Sequence, residues 1–370
     1  MSSGMTILRL LQKLRELEAS DLHIKTGSPP VIRIASKLHR IDSPSLNGEE
    51  THKLLAPIIP DHLLKDLEEK GGIDFSYRIE SGTRFRCNIF SSAGELHAAI
   101  RRVNEKIPDF KDLYLPPIYE QIMDRTHDGL IVICGVTGSG KSSTLAAMIN
   151  HINKTRQVNI ITIEDPIEYA FTSDQSYISQ REIGIDVVDF KQALRSVVRQ
   201  DPDVIMIGEL RDRETVLAGI QAAETGHLVF VTLHTSDTMQ AFSRMLEFFP
   251  QKDHDFIRSS LASSLRAVCA QRLVPSLRKD LQLVPATEVL IVNSVVADRI
   301  RDGADDELPA IMAGSVEEGM HDFTSSLVRL INESYLDLRT AQKYAPNVEA
   351  LRSRVKGIEV KADTLVSKGR

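Results

Sequence analysis

The chain has no tryptophan, and only three of its 370 residues are cysteine. Cys87, Cys134 and Cys269 are far apart, two of them within apolar runs, and no C-x-x-C pair occurs. That usage argues against a disulfide framework or a zinc site and fits a reducing compartment. No apolar run approaches the roughly 18 residues of a membrane span, and no secretory leader is evident. Any membrane association is therefore expected to go through a partner. Positive charge is not in excess either. The formal net charge of -6 excludes bulk attraction to nucleic acid or anionic lipid, local basic patches aside. There is no basic stripe with interleaved aromatics of the kind that tracks single-stranded nucleic acid, and no short repeat array. What the chain does have is 42% hydrophobic content, in a length that suits about two domains.

Read in order, Ile7, Leu10, Leu11, Leu14 and Leu17 follow helical spacing, which predicts a helix over 5–18. Asp21, His23 and Lys25 alternate with Leu22 and Ile24 as in a half-buried strand, and Gly27 to Pro30 form a turn. Val31–Ile34, Phe75–Tyr77, Arg84–Phe90 and Ala98–Val103 are strand-like, with Phe85, Cys87 and Ile89 on one face and Arg84, Arg86 and Asn88 on the other. Residues 1–105 thus read as a small α+β domain on an antiparallel sheet. Residues 106–117, with Pro108, Pro116 and Pro117, read as a linker or docking segment. From 118 to 345 strands alternate with helices: strands at 130–134, 158–163, 203–207 and 228–233, helices at 141–153, 190–199, 213–224 and 238–247. This predicts an α/β domain with a mostly parallel sheet. A long helix is expected over 254–272, a late strand over 288–292, more helix after 294, and a polar tail over 346–370.

The stretch Gly129–Ser143 organises the second domain. Leu130 to Cys134 is a short apolar run suited to a buried strand, Gly135 to Ser142 fits G-x-x-x-x-G-K-[ST], and Leu145, Met148, Ile149 and Ile152 begin a helix. Strand, glycine loop and helix are the context a phosphate-binding loop requires. The residues expected to touch the nucleotide are Gly135, Thr137, Gly138, Ser139, Gly140, Lys141, Ser142 and Ser143. The glycines let backbone N–H groups turn toward phosphate oxygens, and the helix N-terminus adds partial positive charge. Lys141 can reach the β and γ phosphates, and the Ser142 hydroxyl can hold Mg²⁺. The expected cofactors are ATP and Mg²⁺.

Two further strands end in acids. Ile161-Thr-Ile-Glu164-Asp165 places carboxylates where parallel strands feed the ligand crevice. Asp203-Val-Ile-Met-Ile-Gly208-Glu209 resembles a Walker B strand in which Gly208 replaces the usual Mg²⁺-supporting Asp and Glu209 follows. Either Glu209 takes the metal role or an acid at 164–165 does, and both are candidates for polarising the attacking water. Gly226-His227-Leu-Val-Phe-Val-Thr232-Leu-His234 is an apolar strand with a histidine at each end. Thr232 and His234, at its C-terminal end, are placed to sense a γ-phosphate.

Together the boxes ITIEDPIEY, DVIMIGELRD and GHLVFVTLHTSD resemble those of the type II/type IV secretion (VirB11-like) ATPase superfamily. ASDLHIKTGSPPVIRI, RFRCNIF and GMHDFTSSL also match it, so the resemblance runs over about residues 5–345. It implies a PAS-like amino-terminal domain and a RecA-like ATPase domain assembled as a homohexamer. The compact length, without a long amino-terminal extension or a tetracysteine insertion, is similar to the pilus-retraction branch. That implies a cytoplasmic, ATP-driven motor of twitching motility. It would be held at the inner face of the inner membrane by a platform protein and act on pilin indirectly, with no nucleic-acid partner. The resemblance labels Glu164 part of an Asp box, Glu209 the Walker B acid, and His227 and His234 a His box. It also implies that an amino-terminal arginine reaches a neighbouring subunit's nucleotide; Arg84, Arg86, Arg101 and Arg102 are the candidates. One segment departs from the pattern. Retraction ATPases carry an AIRNLIRE-like stretch, and Val296–Gly303 matches it weakly. A pilus-assembly or secretion ATPase, or an accessory nucleotide-gated scaffold with little turnover, are the alternatives.

Overall fold

The computed structural model describes residues 5–34 and 37–357. The part of the expected polar tail at 358–370 lies outside them. The chain divides into two compact units: residues up to Lys106 together with Ile167–Ala170, and Ile107–Pro166 with the residues from Phe171 onward.

In the first unit, helix α1 (Ile7–Glu16) leads to β1 (Asp21–Ile24), β2 (Val31–Ile34) and β3 (Lys37–Arg40). Helices α2 (Gly48–Leu55) and α3 (Leu64–Lys70) precede β4 (Gly72–Arg78), β5 (Arg84–Ser92) and β6 (Glu95–Arg102). The six strands form one sheet in the order β3-β2-β1-β6-β5-β4, every pair antiparallel. The period of two in the sequence explains the packing. Phe85, Cys87 and Ile89 join Leu22, Ile24, Phe75 and Ile100 in one apolar core under α1 and α2.

In the second unit, α4 (Ile118–Arg125) precedes β7 (Gly129–Cys134), α5 (Lys141–Thr155), β8 (Asn159–Glu164), β9 (Tyr177–Glu182), α6 (Phe190–Val197), β10 (Val204–Ile207), α7 (Arg213–Glu224), β11 (Leu228–Leu233), α8 (Thr238–Glu247) and α9 (His254–Ser264). Next come β12 (Leu265–Pro275), β13 (Leu283–Ile291), α10 (Ser294–Asp302), α11 (Leu308–Gly314), α12 (Phe323–Asn332), α13 (Leu338–Tyr344) and α14 (Val348–Val355). The sheet order is β13-β12-β7-β11-β10-β8-β9. All neighbours are parallel except β12 and β13. Ile131 and Ile133 of β7 pack with α4 and α5 on one face, along with Phe110 and Leu115 from the proline-rich approach. Leu130, Val132 and Cys134 pack on the opposite face with α6 to α9 and the C-terminal helices. Burial of both sheet faces is why these strands read as continuous apolar runs. No helix among the described residues is long and apolar enough to cross a membrane.

The mixed α/β architecture with two sheets agrees with the fold expected from the sequence. Two local expectations change. The long helix expected over 254–272 stops at Ser264, and the apolar run Leu265–Val274 becomes β12 between β7 and β13. A short apolar run suits a buried helix or a buried strand equally, so periodicity could not separate them. Strand β9 was not anticipated; Tyr177–Glu182 is a polar edge strand of mixed exposure, without an apolar run to announce it. At the C-terminal end, α14 is helical, and its Arg354 Nη1 donates to Asp322 Oδ1 at 2.8 Å. Asp322 caps α12 by accepting from Ser325 N at 2.7 Å. The GMHDFTSSL motif is thereby used in part to dock the terminal helices.

Candidate functional site

The loop between β7 and α5 is built as its sequence requires. Gly140 lies at φ 89° immediately before Lys141, the first helical residue. That φ demands glycine, and a Cβ there would also come within 2.6 Å of Gln271 Nε2 and push its amide aside. The helix then begins with its N–H groups directed into the loop, where they favour an anion. Lys141 is only 8% exposed. Its Nζ donates to Gly135 O at 2.7 Å and Val136 O at 3.3 Å, which folds the ammonium group back over its own loop. Thr137 and Gly138 are exposed at the loop tip, Ser142 and Ser143 are half-buried on the first turn, and Ser139 is buried. Among the described residues Ser139 Oγ has no hydrogen-bond partner.

Parallel pairing brings the ends of four strands level with this loop. Cys134 lies opposite Leu233, and Ile207 lies opposite both Val231 and Ile163. Glu164, Glu209 and His234 therefore emerge at the same edge of the sheet as Gly135. One strand separates β7 from β10, which puts the Glu209 backbone about 10 Å from the loop. This edge, outside the carboxyl ends of parallel strands, is where ligands bind in such sheets.

The two glutamates occupy different environments. Glu164 is 5% exposed, and its Oε1 accepts from Thr162 Oγ1 at 2.6 Å and Gln180 Nε2 at 3.0 Å. Glu209 is more accessible. Its Oε2 receives Arg211 Nε at 2.7 Å, and His234 Nε2 lies 3.3 Å from its Oε1. Arg211 also reaches Asp165 Oδ2 with Nη1, at 3.0 Å. These hydrogen bonds, with Glu209 first, raise the Arg211 guanidinium further above its ordinary range. A cleft of about 530 Å³ opens beside this group, lined in part by Glu209, Arg211, His234 and Thr235. Gly208 explains itself sterically: a Cβ there would sit 3.2 Å from Ile163 O and 3.4 Å from Glu164 Cα. Its carbonyl accepts the Thr232 hydroxyl. A larger side chain at this position would require the end of β8 to give by a few tenths of an ångström. Cys134, last in β7, is packing rather than chemistry: burial pushes its thiol up to about 12.

Not every residue named from the sequence meets here. His227 precedes β11 and His234 follows it, so the strand's length holds them about 20 Å apart. His227 Nδ1 lies 2.9 Å from Ala222 O, at the end of α7 and the far edge of the sheet from the phosphate loop. Within one chain it does not join His234, although both share one sequence box. The four arginines also divide. Arg86 lies opposite Arg101, and Arg84 is two residues along the same strand, so these three share a sheet face. Arg102 is on the other side, with Nε donating to Ala19 O at 3.1 Å. Arg101 is held by Asp21 Oδ1 at 2.8 Å, while Arg86 Nη2 lies 4.0 Å from Asp74 Oδ1. Three contributors escaped sequence reasoning. Arg211 stood in the open, two residues after Glu209. Gln180 and Gln271 gave no signal, because their strands were not recognised.

Comparison with known proteins agrees with this geometry. Residues 5–305 match the family model "Type II/IV secretion system protein". The chain is 35% identical to the type IV pilus retraction ATPase PilT of Pseudomonas aeruginosa, over 92% of this chain and 98% of that protein. It is 36% identical to the type IV pilus ATPase PilU of the same organism, over 97% and 94%. Among solved structures, the pilus retraction motor PilT with bound ADP superposes with a TM-score of 0.87 at 38% identity, over 94% of this chain and 99% of that one. A P-loop at the carboxyl edge of a parallel sheet, two acids beside it and end-to-end similarity to such ATPases have one explanation: the chain belongs to the type II/IV secretion family of ATPases.

Proposed function

We propose that the chain is the ATP-hydrolysing motor of type IV pilus retraction. The supporting observation is end-to-end similarity to a retraction ATPase, covering nearly all of both chains, together with the loop and carboxylates such a reaction uses. In this reading Lys141 and the loop N–H groups bind the ATP phosphates. Glu209 orients and polarises the attacking water, and His234 holds the free edge of that carboxylate. Glu164 is drawn into an internal network and supports the site from below. Phosphoryl transfer needs little covalent help, so this division into charge and position is sufficient.

Mg²⁺ fits the residues present. Among the described residues no group of three or more His, Cys, Asp or Glu could hold a metal unaided. Mg²⁺ does not require one, since it keeps waters and is held through phosphates and one or two protein ligands. Ser142 and Glu209 would supply those, and the bound ion would neutralise charge developing on the phosphates.

The active form is a homohexameric ring, docked on an inner-membrane platform protein at the cytoplasmic face and working pilin indirectly. The arginine-bearing face of the first sheet supports a site completed in trans. A P-loop domain alone leaves the transferring phosphoryl group partly unneutralised, and an arginine from outside accelerates the reaction. Arg84, Arg86 and Arg101 are the candidates that share a face. Mixing Lys141→Ala subunits with subunits altered at the responsible arginine is expected to restore activity. In a head-to-tail ring of an equal mixture, about a quarter of the interfaces carry both intact halves. Phosphate release that stays at background in mixtures with all three arginine variants would exclude completion in trans.

A second reading is an accessory pilus ATPase, favoured by the weak match at Val296–Gly303; the chain is as similar to the type IV pilus ATPase PilU, at 36% identity, as to the retraction ATPase, at 35%. Deleting the gene and scoring surface pili discriminates. Hyperpiliated, non-twitching cells are the expected result. Bald cells would indicate assembly, and normal pili with normal twitching would remove the retraction role.

A further inference from the structure

β12 runs parallel to β7 with Ala270 opposite Cys134, which brings Gln271 level with the first glycine of the phosphate loop. Alternation turns Gln271, with Ala267 and Cys269, toward α5. The side chain is 4% exposed. Its Oε1 accepts a hydrogen bond from Thr144 Oγ1 at 2.7 Å, on the first turn of α5. The loop also crosses Gln271 at both of its ends. A Cβ on Gly140 would meet Gln271 Nε2 at 2.6 Å, and a Cβ on Gly135 would meet the Gln271 carbonyl oxygen at 2.6 Å. One residue of a strand distant in sequence therefore seats the loop at its first glycine, its last glycine and the opening turn of its helix. The strand end is itself fixed: Arg272 donates to Ser236 O at 3.2 Å and to Tyr344 O at 3.1 Å.

We propose that Gln271 is a positioning residue for the nucleotide phosphates. It holds Gly140 and the first turn of α5 so that the loop N–H groups keep the spacing phosphate oxygens require. The proposal rests on the phosphate-loop reading above. Thr144 is fully buried, so losing Gln271 leaves a buried hydroxyl without its acceptor, and the loop must shift for it to find another. The shift is felt as weaker binding of phosphates, because the N–H groups move with the helix turn.

The test uses the full chain with Mg²⁺ and ATP, reading kcat, KM and melting temperature. Gln271→Leu and Thr144→Val are each expected to raise KM for ATP about tenfold, with kcat changed less than about threefold, as for loss of one buried hydrogen bond. The double variant should be no worse than either single one, because both remove the same bond. Thr144→Ser keeps the hydroxyl and should keep the normal KM. Should Gln271→Leu fail to fold, the Thr144→Val and Thr144→Ser pair carries the test alone. An unchanged KM with a lowered melting temperature means a structural role only and overturns the proposal, as does an additive double variant. Lys141→Ala in the same series separates the two readings. Loss of turnover there with unchanged KM at Gln271 and Thr144 overturns the positioning role alone, and normal turnover in Lys141→Ala overturns both.

Discussion

Lys141→Ala is expected to reduce steady-state phosphate release to background. Lys141 is the one cationic residue between Gly135 and Ser143. It is buried, and its ammonium is turned onto the carbonyls of Gly135 and Val136, where it spans the loop from within. Bound phosphates offer that ammonium stronger acceptors than neutral carbonyls. Truncation removes the contact and leaves phosphate charge that no loop neighbour neutralises. The loss of such a contact at a transferring phosphoryl group costs about 3 kcal/mol or more, a hundredfold in rate. Phosphate release and nucleotide affinity, measured on the same preparation, give the result directly. Turnover within a few-fold of the unaltered chain would remove the loop from the reaction.

Glu209→Gln is expected to keep ATP binding and lose hydrolysis by about 10²- to 10⁴-fold, the range for a positioned general base. The substitution is isosteric, so Arg211 can still bond the remaining carbonyl oxygen, but the anion is gone. Glu164→Gln provides the contrast. Thr162 and Gln180 both donate to the same Glu164 oxygen, Oε1. A glutamine carbonyl can replace that oxygen, so the expected loss is smaller than at Glu209. Binding and turnover are measured separately for both variants. Normal hydrolysis by Glu209→Gln with an inactive Glu164→Gln would reverse the assignment of the main acid.

The two glutamates show where reading a sequence stops. Each ends an apolar strand, and nothing in ITIEDP or MIGELRD ranks one above the other. The ranking comes from neighbours contributed by other strands: Gln180 of β9 draws Glu164 inward, while His234, after β11, meets Glu209 at the open edge. The paired histidines of GHLVFVTLHT show the same limit in reverse. The family resemblance places them in one box, yet an extended strand of six residues separates its ends.

By itself the sequence determined the phosphate-loop motif and the α/β class, because these depend on local order, and the resemblance of its boxes pointed to the family. Glycine spacing fixes a turn, apolar runs fix buried strands, and their alternation with helices implies a parallel sheet. Only the tertiary structure decided that Leu265–Pro275 is a strand beside β7, that Gln271 seats the loop, that Arg102 faces away from Arg84, Arg86 and Arg101, and that Arg211 joins Glu209 to Asp165. Each of these follows from long-range strand register. A shift of one residue would turn every side chain to the other face, and an apolar run carries no mark of which strand it will pair with.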